Sequence, residues 1–347
     1  MRARKLLLTL LLALTSLPSL AEERLAGEWR LALSGDIMLG TDYPAPMLPP
    51  RQGQGLLDVA QPSLGWADLA LGNLEGALAE GGQTGKQGCQ KCYAFRTPPY
   101  FAQRLREAGF HGMSLANNHA RDFGEEGMRQ TIKALEEAGL RGTGWTGSAP
   151  ATFLVQGRSA CLLAFAPNRG MNDIRDLDRA RQLVQEARAR CHLVAVSFHG
   201  GAEGADKVYT PHGPEMYLGE NRGDVRAFAR AVIDAGAHVV FGHGPHVPRG
   251  MEVYRGHLVA YSLGNFMTYG GMNVSGVLGE APLLLVRLNA QGKLVAGRIV
   301  PFRQARHQPL ALDPAQRAAR TIMEATHRDF SGGQLQFTPD GGFRPAP

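Results

Sequence analysis

Short apolar runs alternate with amphipathic stretches along most of this chain. From residue 30 onward, runs that fit buried strands are separated by stretches whose apolar residues recur at helical spacing. This alternation is typical of βαβ units, in which helices pack against a largely parallel sheet. The predicted strands span residues 30–33, 69–71, 112–115, 160–166, 193–197, 239–241 and 258–262.

Two of the predicted helices have clear boundaries. Apolar residues recur at helical spacing after Glu125 and again after Asp224, and the two stretches end at Gly139 and Gly236. Glycine there suits a left-handed helix C-cap. Beyond Phe266 the pattern predicts a hairpin over 283–288 and 294–300, a helix over 314–328 and a mobile tail over 331–347.

The first residues predict an exported protein. Three basic residues and the apolar run 6–14 precede small residues that end at Ala21, which is the pattern of a cleaved secretory signal peptide. The run is too short for a typical membrane-spanning helix, although an uncleaved anchor is the alternative. We expect residues 1–21 to be removed, residues 22–330 to form one domain, and the protein to be periplasmic or secreted.

Charge argues against a nucleic-acid partner. The net charge of the whole chain is +6, and three of those positive charges belong to Arg2, Arg4 and Lys5 in the predicted signal peptide. The remaining chain is therefore too weakly basic to predict nucleic-acid binding.

Four cysteines in a chain expected to be exported predict disulfides. Cys89 and Cys92 lie in a polar loop, whereas Cys161 and Cys191 each begin an apolar run. We favour the pairs 89 with 92 and 161 with 191. A redox-active Cys-x-x-Cys motif is the alternative for the first pair, but the sequence predicts no strand before it and no helix after it.

Polar clusters follow five of the predicted strands. The C-terminal ends of the strands are where open α/β sheets bind ligands, so side chains from separate clusters are expected to meet there. Carboxylate, amide and imidazole groups together suit a divalent cation. The clusters contain Asp36; Asn73 and Glu75; Asn117, Asn118 and His119; His199; and His243 with His246.

Each cluster alone has a simpler interpretation as a turn, a helix cap or a hydrogen-bonded core histidine. Turn chemistry favours Gly, Asn and Asp, but it does not favour histidine at strand ends. Four histidines nevertheless lie there, so the joint pattern predicts one divalent-metal site. These histidines are His119, His199, His243 and His246.

The motifs also carry a family resemblance. SGDIMLG, ADLALGNLEGAL, YAFRTPP, SLANNHARDFGEEGM, SFHGGAE and GHGPHVPRGMEVYRGHLVAYSLGNF occur in this order from Gly35 to Phe266. The series resembles the bacterial CapA family, the poly-γ-glutamate capsule biosynthesis proteins. That family is similar to calcineurin-like metallophosphoesterases. The resemblance therefore implies an α/β fold, a four-layer α/β/β/α sandwich of the metallo-dependent phosphatase type.

The resemblance also implies roles for individual residues. His119 matches a proton donor, and Asp122 is a candidate to orient it, with a helix N-cap as the alternative. Arg96 is a candidate clamp for an anionic substrate group, or else a surface ion pair. Asn265 is a candidate substrate-binding residue, or else part of a plain turn. The implied metal ligands are Asp36, Glu75, Asn118, His199, His243 and His246.

Three positions depart from the related patterns. Met38 stands where the phosphoesterases have a histidine, so a single ion is the safer expectation. Gly200 and Gly244 stand where CapA-like chains usually carry Trp and often carry His, respectively. Glu203 and Glu252 fall in family-like motifs, either as support for a histidine or as solvated loop acids.

These features predict a hydrolase that uses one or two divalent ions. A cation held by imidazoles and few carboxylates lowers the pKa of bound water, and the mixed donors suit Mn, Zn and Fe alike. The implied substrate is a phosphoester, or an amide bond of an anionic polymer such as poly-γ-glutamate. The implied partners are capsule-synthesis membrane proteins. A non-catalytic polymer-binding or export component is the alternative.

Overall fold

The computed structural model describes residues 24–86, 93–330, 332 and 334–347. The predicted signal peptide and the predicted disulfide between Cys89 and Cys92 lie outside these residues. Among the helices of the described ranges, none combines the length and the hydropathy that crossing a bilayer requires.

Two β-sheets contain most of the strands. Every strand predicted from the sequence overlaps an observed one. The strands are β1 (Trp29–Met38), β2 (Leu69–Leu74), β3 (Ala77–Leu78), β4 (Arg96–Thr97), β5 (Gly112–Ser114), β6 (Arg141–Thr143), β7 (Ala151–Val155), β8 (Arg158–Phe165), β9 (Leu193–His199), β10 (Met216–Tyr217), β11 (Glu220–Asn221), β12 (Val239–His243), β13 (Met251–Tyr254), β14 (His257–Ala260), β15 (Asn265–Thr268), β16 (Glu280–Leu288), β17 (Leu294–Arg303), β18 (Ala311–Leu312), β19 (Leu335–Phe337) and β20 (Gly342–Pro345).

Helices pack against both sheets. The three clearest helix predictions correspond to α3, α5 and α6, each within a few residues. The helices are α1 (Gln61–Gly65), α2 (Phe101–Ala108), α3 (Gly124–Glu137), α4 (Leu177–Arg188), α5 (Val225–Asp234) and α6 (Arg317–Asp329), with short 3-10 turns at Pro50–Gly53, Asp58–Ala60 and Gly276–Gly279.

Each sheet contains four neighbouring parallel strands. The larger sheet has the order β19-β20-β17-β16-β1-β2-β5-β6, with β15 beside the end of β1 and β18 beside β17. In it β1, β2, β5 and β6 are parallel, whereas β16 runs antiparallel to β1. The second sheet has the order β13-β14-β12-β9-β8-β7, and β8, β9, β12 and β14 are parallel.

Alternating side chains divide the core into layers. Leu31 and Leu33 of β1 point into an apolar core between the sheets, where they meet residues such as Phe241 of β12. Ala32 points the other way, into a cluster with α2 and α3. A third cluster joins the outer face of the second sheet to α4 and α5. These layers confirm the α/β/β/α sandwich.

The chain end departs from the sequence prediction. The expected mobile tail over 331–347 contains β19 and β20, which pair with each other, and β20 pairs with β17. Leu335 and Phe343 lie buried in the core between the sheets. These strands were not predicted from the sequence, because each is short and is flanked by Gly, Pro and Asp.

The predicted pairing of Cys161 with Cys191 is confirmed. The disulfide joins the two residues across a sequence separation of 30, with 5.9 Å between their Cα atoms. It ties β8 to the turn that leads from α4 into β9. The bond therefore fixes one crossover of the second sheet.

Removing this disulfide should lower the stability of the domain. In the chain-entropy model, closing a loop of this length stabilises a protein by about 3 to 4 kcal/mol, and measured values are often smaller. We expect a Cys161→Ala/Cys191→Ala variant to unfold at lower urea concentration than the oxidised native protein. Urea titration followed by circular dichroism measures this, and reduced native protein is the matched control. Equal midpoints for the variant and the oxidised protein would contradict the assignment.

Candidate metal centre

Asp36 lies at a bulge near the end of β1. The pairing of β1 with β2 and with β15 shifts in register next to this residue, and such bulges redirect side chains. Gly35 permits the local geometry, because a Cβ there would lie 1.9 Å from the carbonyl oxygen of Gly264. The Asp36 amide donates to that same oxygen at 2.8 Å. Close backbone approach therefore explains why a glycine precedes the carboxylate.

A first group of potential metal ligands joins Asp36 to the ends of β9 and β12. The Nδ1 atoms of His199 and His243 are 3.1 Å apart, and they lie 3.9 and 3.4 Å from Asp36 Oδ1. Two ligand atoms on a tetrahedral ion with bonds of about 2.1 Å are about 3.4 Å apart. These three atoms therefore have the spacing of ligands around one small cation.

A hydrogen bond fixes the ring of His243. Its Nε2 lies 2.8 Å from the hydroxyl oxygen of Ser197, which leaves Nδ1 as the nitrogen that faces Asp36. Outer contacts of this kind hold metal-binding histidines in one orientation. Ser197 was not predicted as a site residue, although its position two residues before His199 places it on the same side of β9.

A second group of potential ligands contains Asp36, Glu75 and His246, whose ligand atoms lie within 4.8 Å of one another. Asn265 orients the imidazole: its amide nitrogen donates to Leu278, so its Oδ1 accepts from Nδ1 of His246 at 2.9 Å. Nε2 of His246 is then the nitrogen left for an ion, 3.8 Å from Glu75 Oε1. His246 holds this position with φ of +61°.

Several polar atoms of the centre lack a hydrogen-bond partner among the described residues. They are Oδ2 of Asp36, both carboxylate oxygens of Glu75 and Nε2 of His199; Oδ1 of the predicted ligand Asn118 is likewise buried without a partner, but the metal groups form without it. Each such buried atom ordinarily costs about 1 to 3 kcal/mol. Bound divalent cations would give these atoms partners, so the residues present fit one or more ions.

Burial and charge adjust the centre for metal binding. Burial lowers the pKa of His243 to about 4 and holds the pKa of His199 well below its ordinary value, so both rings are neutral at pH 7. Burial, together with the Asp36 charge, raises the pKa of Glu75 well above its usual range. Burial lowers the pKa of His246, but Glu75 and Asp36 raise it more, to about 10. An ion that binds the second group therefore displaces protons from its ligands. An ion that binds the first group meets neutral imidazoles and displaces none from them.

Two asparagines that received no role in the sequence analysis support the carboxylate. The amide of Asn73 donates to Asp36 Oδ1 at 2.8 Å, and its oxygen accepts from the amide of Asn117 at 3.0 Å. Asn117 also accepts from the backbone amide of His119 at 3.0 Å. The sequence placed both asparagines in the polar clusters, but only the folded structure shows which neighbour takes the metal-facing position.

His119 and Asp122 form a buried pair beside the two groups. Nδ1 of His119 lies 2.8 Å from Asp122 Oδ2, which also accepts from the backbone amide of Phe95 at 2.8 Å. The alternative role of Asp122 as a helix cap is not what the structure shows, since the N-cap of α3 is Phe123. The carboxylate therefore occupies Nδ1 and leaves Nε2 of His119 available to a substrate.

A cavity of about 240 Å³ opens over the second group. Its polar lining includes His119, His246, Glu203 and Asn265, and much of the remaining wall is aromatic or apolar. His246 of the second group and His119 of the histidine pair therefore face the same solvent-accessible space. The aromatic residues of the wall are Tyr93, Phe95 and Tyr217.

The structure separates two acids that the sequence could not distinguish. Glu203 lines the cavity, and its Oε2 lies 3.7 Å from Nε2 of His246. Glu252 instead bonds Arg230 and the hydroxyl of Tyr261. Glu203 is therefore a site residue, and its position in a family-like motif was the one indication of this in the sequence.

Arg96 does not line the cavity. Its Nε donates to Asp42 at 2.6 Å, and its guanidinium lies over the ring of Phe123 at 5.0 Å. The structure thus shows the ion-pair alternative at this position. Asn265, by contrast, does line the cavity, where it contacts His246.

The positions that depart from related patterns have local explanations. A Cβ at Gly244 would lie 2.9 Å from the backbone nitrogen of Gly200, so these two glycines pack directly together. Met38 is buried, and its sulfur accepts from the amide of Gly40 at 3.3 Å. Both groups of potential ligands form without a histidine at position 38. The expectation of a single ion rested on Met38, whereas the geometry offers two positions that share Asp36.

Comparison with known proteins gives a consistent family match. The family model for the bacterial capsule synthesis protein PGA_cap matches residues 30–269. The chain is 27% identical over 249 residues to the PGA biosynthesis protein CapA of Bacillus subtilis (strain 168), covering 67% of this chain and 61% of that protein. It is 26% identical over 312 residues to the capsule biosynthesis protein CapA of Bacillus anthracis, covering 88% and 74%.

Solved structures with some similarity include two nucleotidases. The 5′-nucleotidase precursor from Thermus thermophilus is 15% identical with a TM-score of 0.43, covering 86% of this chain and 58% of that one. The NAD nucleotidase of Haemophilus influenzae is 13% identical with a TM-score of 0.41, covering 85% and 55%.

The shared position of Asp36 predicts a pattern of metal loss. We expect two ions per native chain, one in a His199→Ala variant, one in Glu75→Gln and fewer than one in Asp36→Asn, because both groups include Asp36. Plasma mass spectrometry after loading with Mn²⁺ or Zn²⁺ and dialysis measures these contents. Glu137→Gln on the exposed face of α3 is the control and should match the native protein. Native metal content in Asp36→Asn would show that the ions bind elsewhere.

Proposed function

The chain belongs to the bacterial capsule synthesis protein PGA_cap family, and from this premise we propose that it is an exported, metal-dependent hydrolase. Its matched relatives are named for poly-γ-glutamate or capsule biosynthesis, which supports a role in making or processing such a polymer. The matched region spans 61% of the Bacillus subtilis relative. The activity, substrate and partners of this chain are therefore part of the proposal.

One observation carries the enzymatic part of the proposal. Two groups of potential metal ligands share the Asp36 carboxylate, and His119, which Asp122 orients, lines the same cavity as His246 of the second group. When bound, a pair of divalent ions supplies Lewis acidity and a water of lowered pKa, the requirements for hydrolysing an ester or amide. A pure binding protein has no need of a proton donor oriented by a buried carboxylate.

Each side chain of the centre has a separate role in the proposed reaction. Asp36 is the carboxylate common to both groups, and Asn265 keeps Nε2 of His246 directed toward Glu75. Asp122 accepts from Nδ1 of His119, so Nε2 can take up a proton from water in the cavity and pass it to the leaving oxygen or nitrogen of the substrate. The aromatic wall of the cavity shields the reacting bond from bulk water.

The proposed substrate is a phosphoester, or an amide bond of an anionic polymer such as poly-γ-glutamate. The proposed ions are Mn, Zn or Fe. We place the protein in the periplasm or outside the cell, with membrane proteins of capsule synthesis as partners. The disulfide between Cys161 and Cys191 supports such a location, because structural disulfides form and persist in oxidising compartments.

Activity assays test this function directly. Purified protein loaded with Mn²⁺ or Zn²⁺ should hydrolyse p-nitrophenyl phosphate, or should release new amino groups from poly-γ-glutamate, and EDTA should abolish the activity. Retained polymer binding without any turnover, at full metal content, would instead support the binding or export component.

Changing the proton donor should separate chemistry from metal binding. We expect His119→Gln to lower kcat for phenyl phosphate, whose leaving group needs a proton, about 10² to 10⁴-fold, because general acid catalysis contributes on that scale. Its metal content should stay native, since His119 belongs to neither ligand group. Steady-state kinetics and metal analysis of one preparation give both values. Arg96→Ala, outside the cavity, is the control for overall folding. Native kcat in His119→Gln would remove His119 from the mechanism.

A further inference from the structure

The ammonium of Lys86 reaches three parts of the molecule that surround the His119–Asp122 pair. It forms an ion pair with Asp122 Oδ1. It also donates to the carbonyl oxygen of Asn118 at 3.2 Å and to that of Tyr93 at 3.0 Å. The lysine ammonium has three N–H donors and no acceptor, so three oxygen atoms can share its charge.

The two oxygens of Asp122 have separate partners. Oδ2 takes Nδ1 of His119 and the amide of Phe95, whereas Oδ1 faces Lys86. The Asp122 side chain is fully buried, and a buried carboxylate is stable only when charge and hydrogen bonds compensate it. An opposite charge on Oδ1 holds the carboxylate plane and prevents its oxygens from exchanging places. That plane determines the direction in which the His119 ring points.

The two carbonyl contacts extend the same effect. Asn118, whose side-chain oxygen is buried and has no hydrogen-bond partner among the described residues, immediately precedes His119. Tyr93 belongs to the cavity wall. One ammonium thus joins a potential metal ligand, the histidine pair and the wall. Removing it frees all three at once.

We propose that Lys86 is a positioning residue for the His119–Asp122 pair, an inference that rests on the proposed hydrolase function. Lys86 is not among the residues that line the cavity. Its ammonium pairs with Asp122 and lies 3.4 Å from Nδ1 of His119, so it acts on the histidine pair rather than on the substrate. Its role is to keep Nε2 of His119 directed at the leaving group. The proposal concerns the efficiency of proton delivery, and it leaves the metal ligands unchanged.

Leaving-group dependence tests this role. p-Nitrophenol departs readily without a proton, whereas phenol and alkyl alcohols need one. In Lys86→Met, kcat for phenyl phosphate should fall roughly 10 to 100-fold, a part of the full general-acid contribution. With p-nitrophenyl phosphate the fall should stay below about 3-fold, by the same reasoning. Metal content and KM should stay native, and Lys86→Arg should recover part of the loss.

Matched variants sharpen the kinetic result. Lys133→Met removes an exposed lysine that pairs with Glu137 on α3, and it should affect neither substrate. His119→Gln should show the same selective loss as Lys86→Met, and the double variant should be little worse than His119→Gln, because the two residues act as one unit. Equal losses for both phosphate esters in Lys86→Met would overturn the proposal.

A spectroscopic measurement keeps the inference testable without activity. In ¹⁵N-histidine-labelled protein, the His119 signal, identified by its absence in His119→Gln, should report a proton on Nδ1 and a bare Nε2. Lys86→Met should show a mixture of the two tautomers, while Lys133→Met keeps the native signal. An unchanged His119 signal in Lys86→Met overturns the positioning role. If the native protein hydrolyses no ester or amide, the hydrolase function fails, and this spectrum alone decides the role of Lys86.

Discussion

Burial of the Asp36 carboxylate between two sheets is the constraint on which the centre depends. Its side chain is 1% exposed, and an isolated charge at such a position would be strongly unfavourable. Burial alone would raise the pKa of Asp36. The close contact with His246 and the charges of the neighbouring imidazoles outweigh this effect, so the pKa lies below its ordinary value. The carboxylate thus stays ionised only while groups from both sheets surround it. Stacking of the sheets and formation of the centre are therefore one event.

The same constraint explains why small residues accumulate around the centre. The bulge that directs Asp36 inward brings β1 against the backbone of Gly264, which excludes a side chain at Gly35. On the second sheet, Gly200 and Gly244 pack backbone to backbone, and the amide of Gly200 donates to the carbonyl of His243 at 3.0 Å. This glycine pair lets two ligand-bearing loops lie close together. The two glycines that depart from the family pattern, Gly200 and Gly244, therefore contact each other.

The sequence predicted what local patterns encode. Short apolar runs located the strands, and histidines at their ends located His199, His243 and His246, because parallel strands bring those ends together. The sequence could not separate Glu203 from Glu252, since both follow apolar segments and only the packing of loops places one in the cavity.

Partners distant in sequence were also beyond sequence reasoning. The ammonium of Lys86 meets Asn118, 32 residues along the chain, through tertiary packing alone. The short strand pair after residue 334 lacks the length that makes alternation visible. The motif around Arg96 suggested that it binds an anionic substrate group, but in the fold its guanidinium pairs with Asp42.

Anomalous X-ray diffraction from crystals grown with Mn²⁺ or Zn²⁺ tests the central claim most directly. Two anomalous peaks should lie on either side of the Asp36 carboxylate, about 3.5 to 4 Å apart, which is the separation of paired catalytic ions. One peak should contact His199 and His243, and the other Glu75 and His246. A single peak, or peaks that Asp36 does not touch, would contradict a centre built around this shared carboxylate.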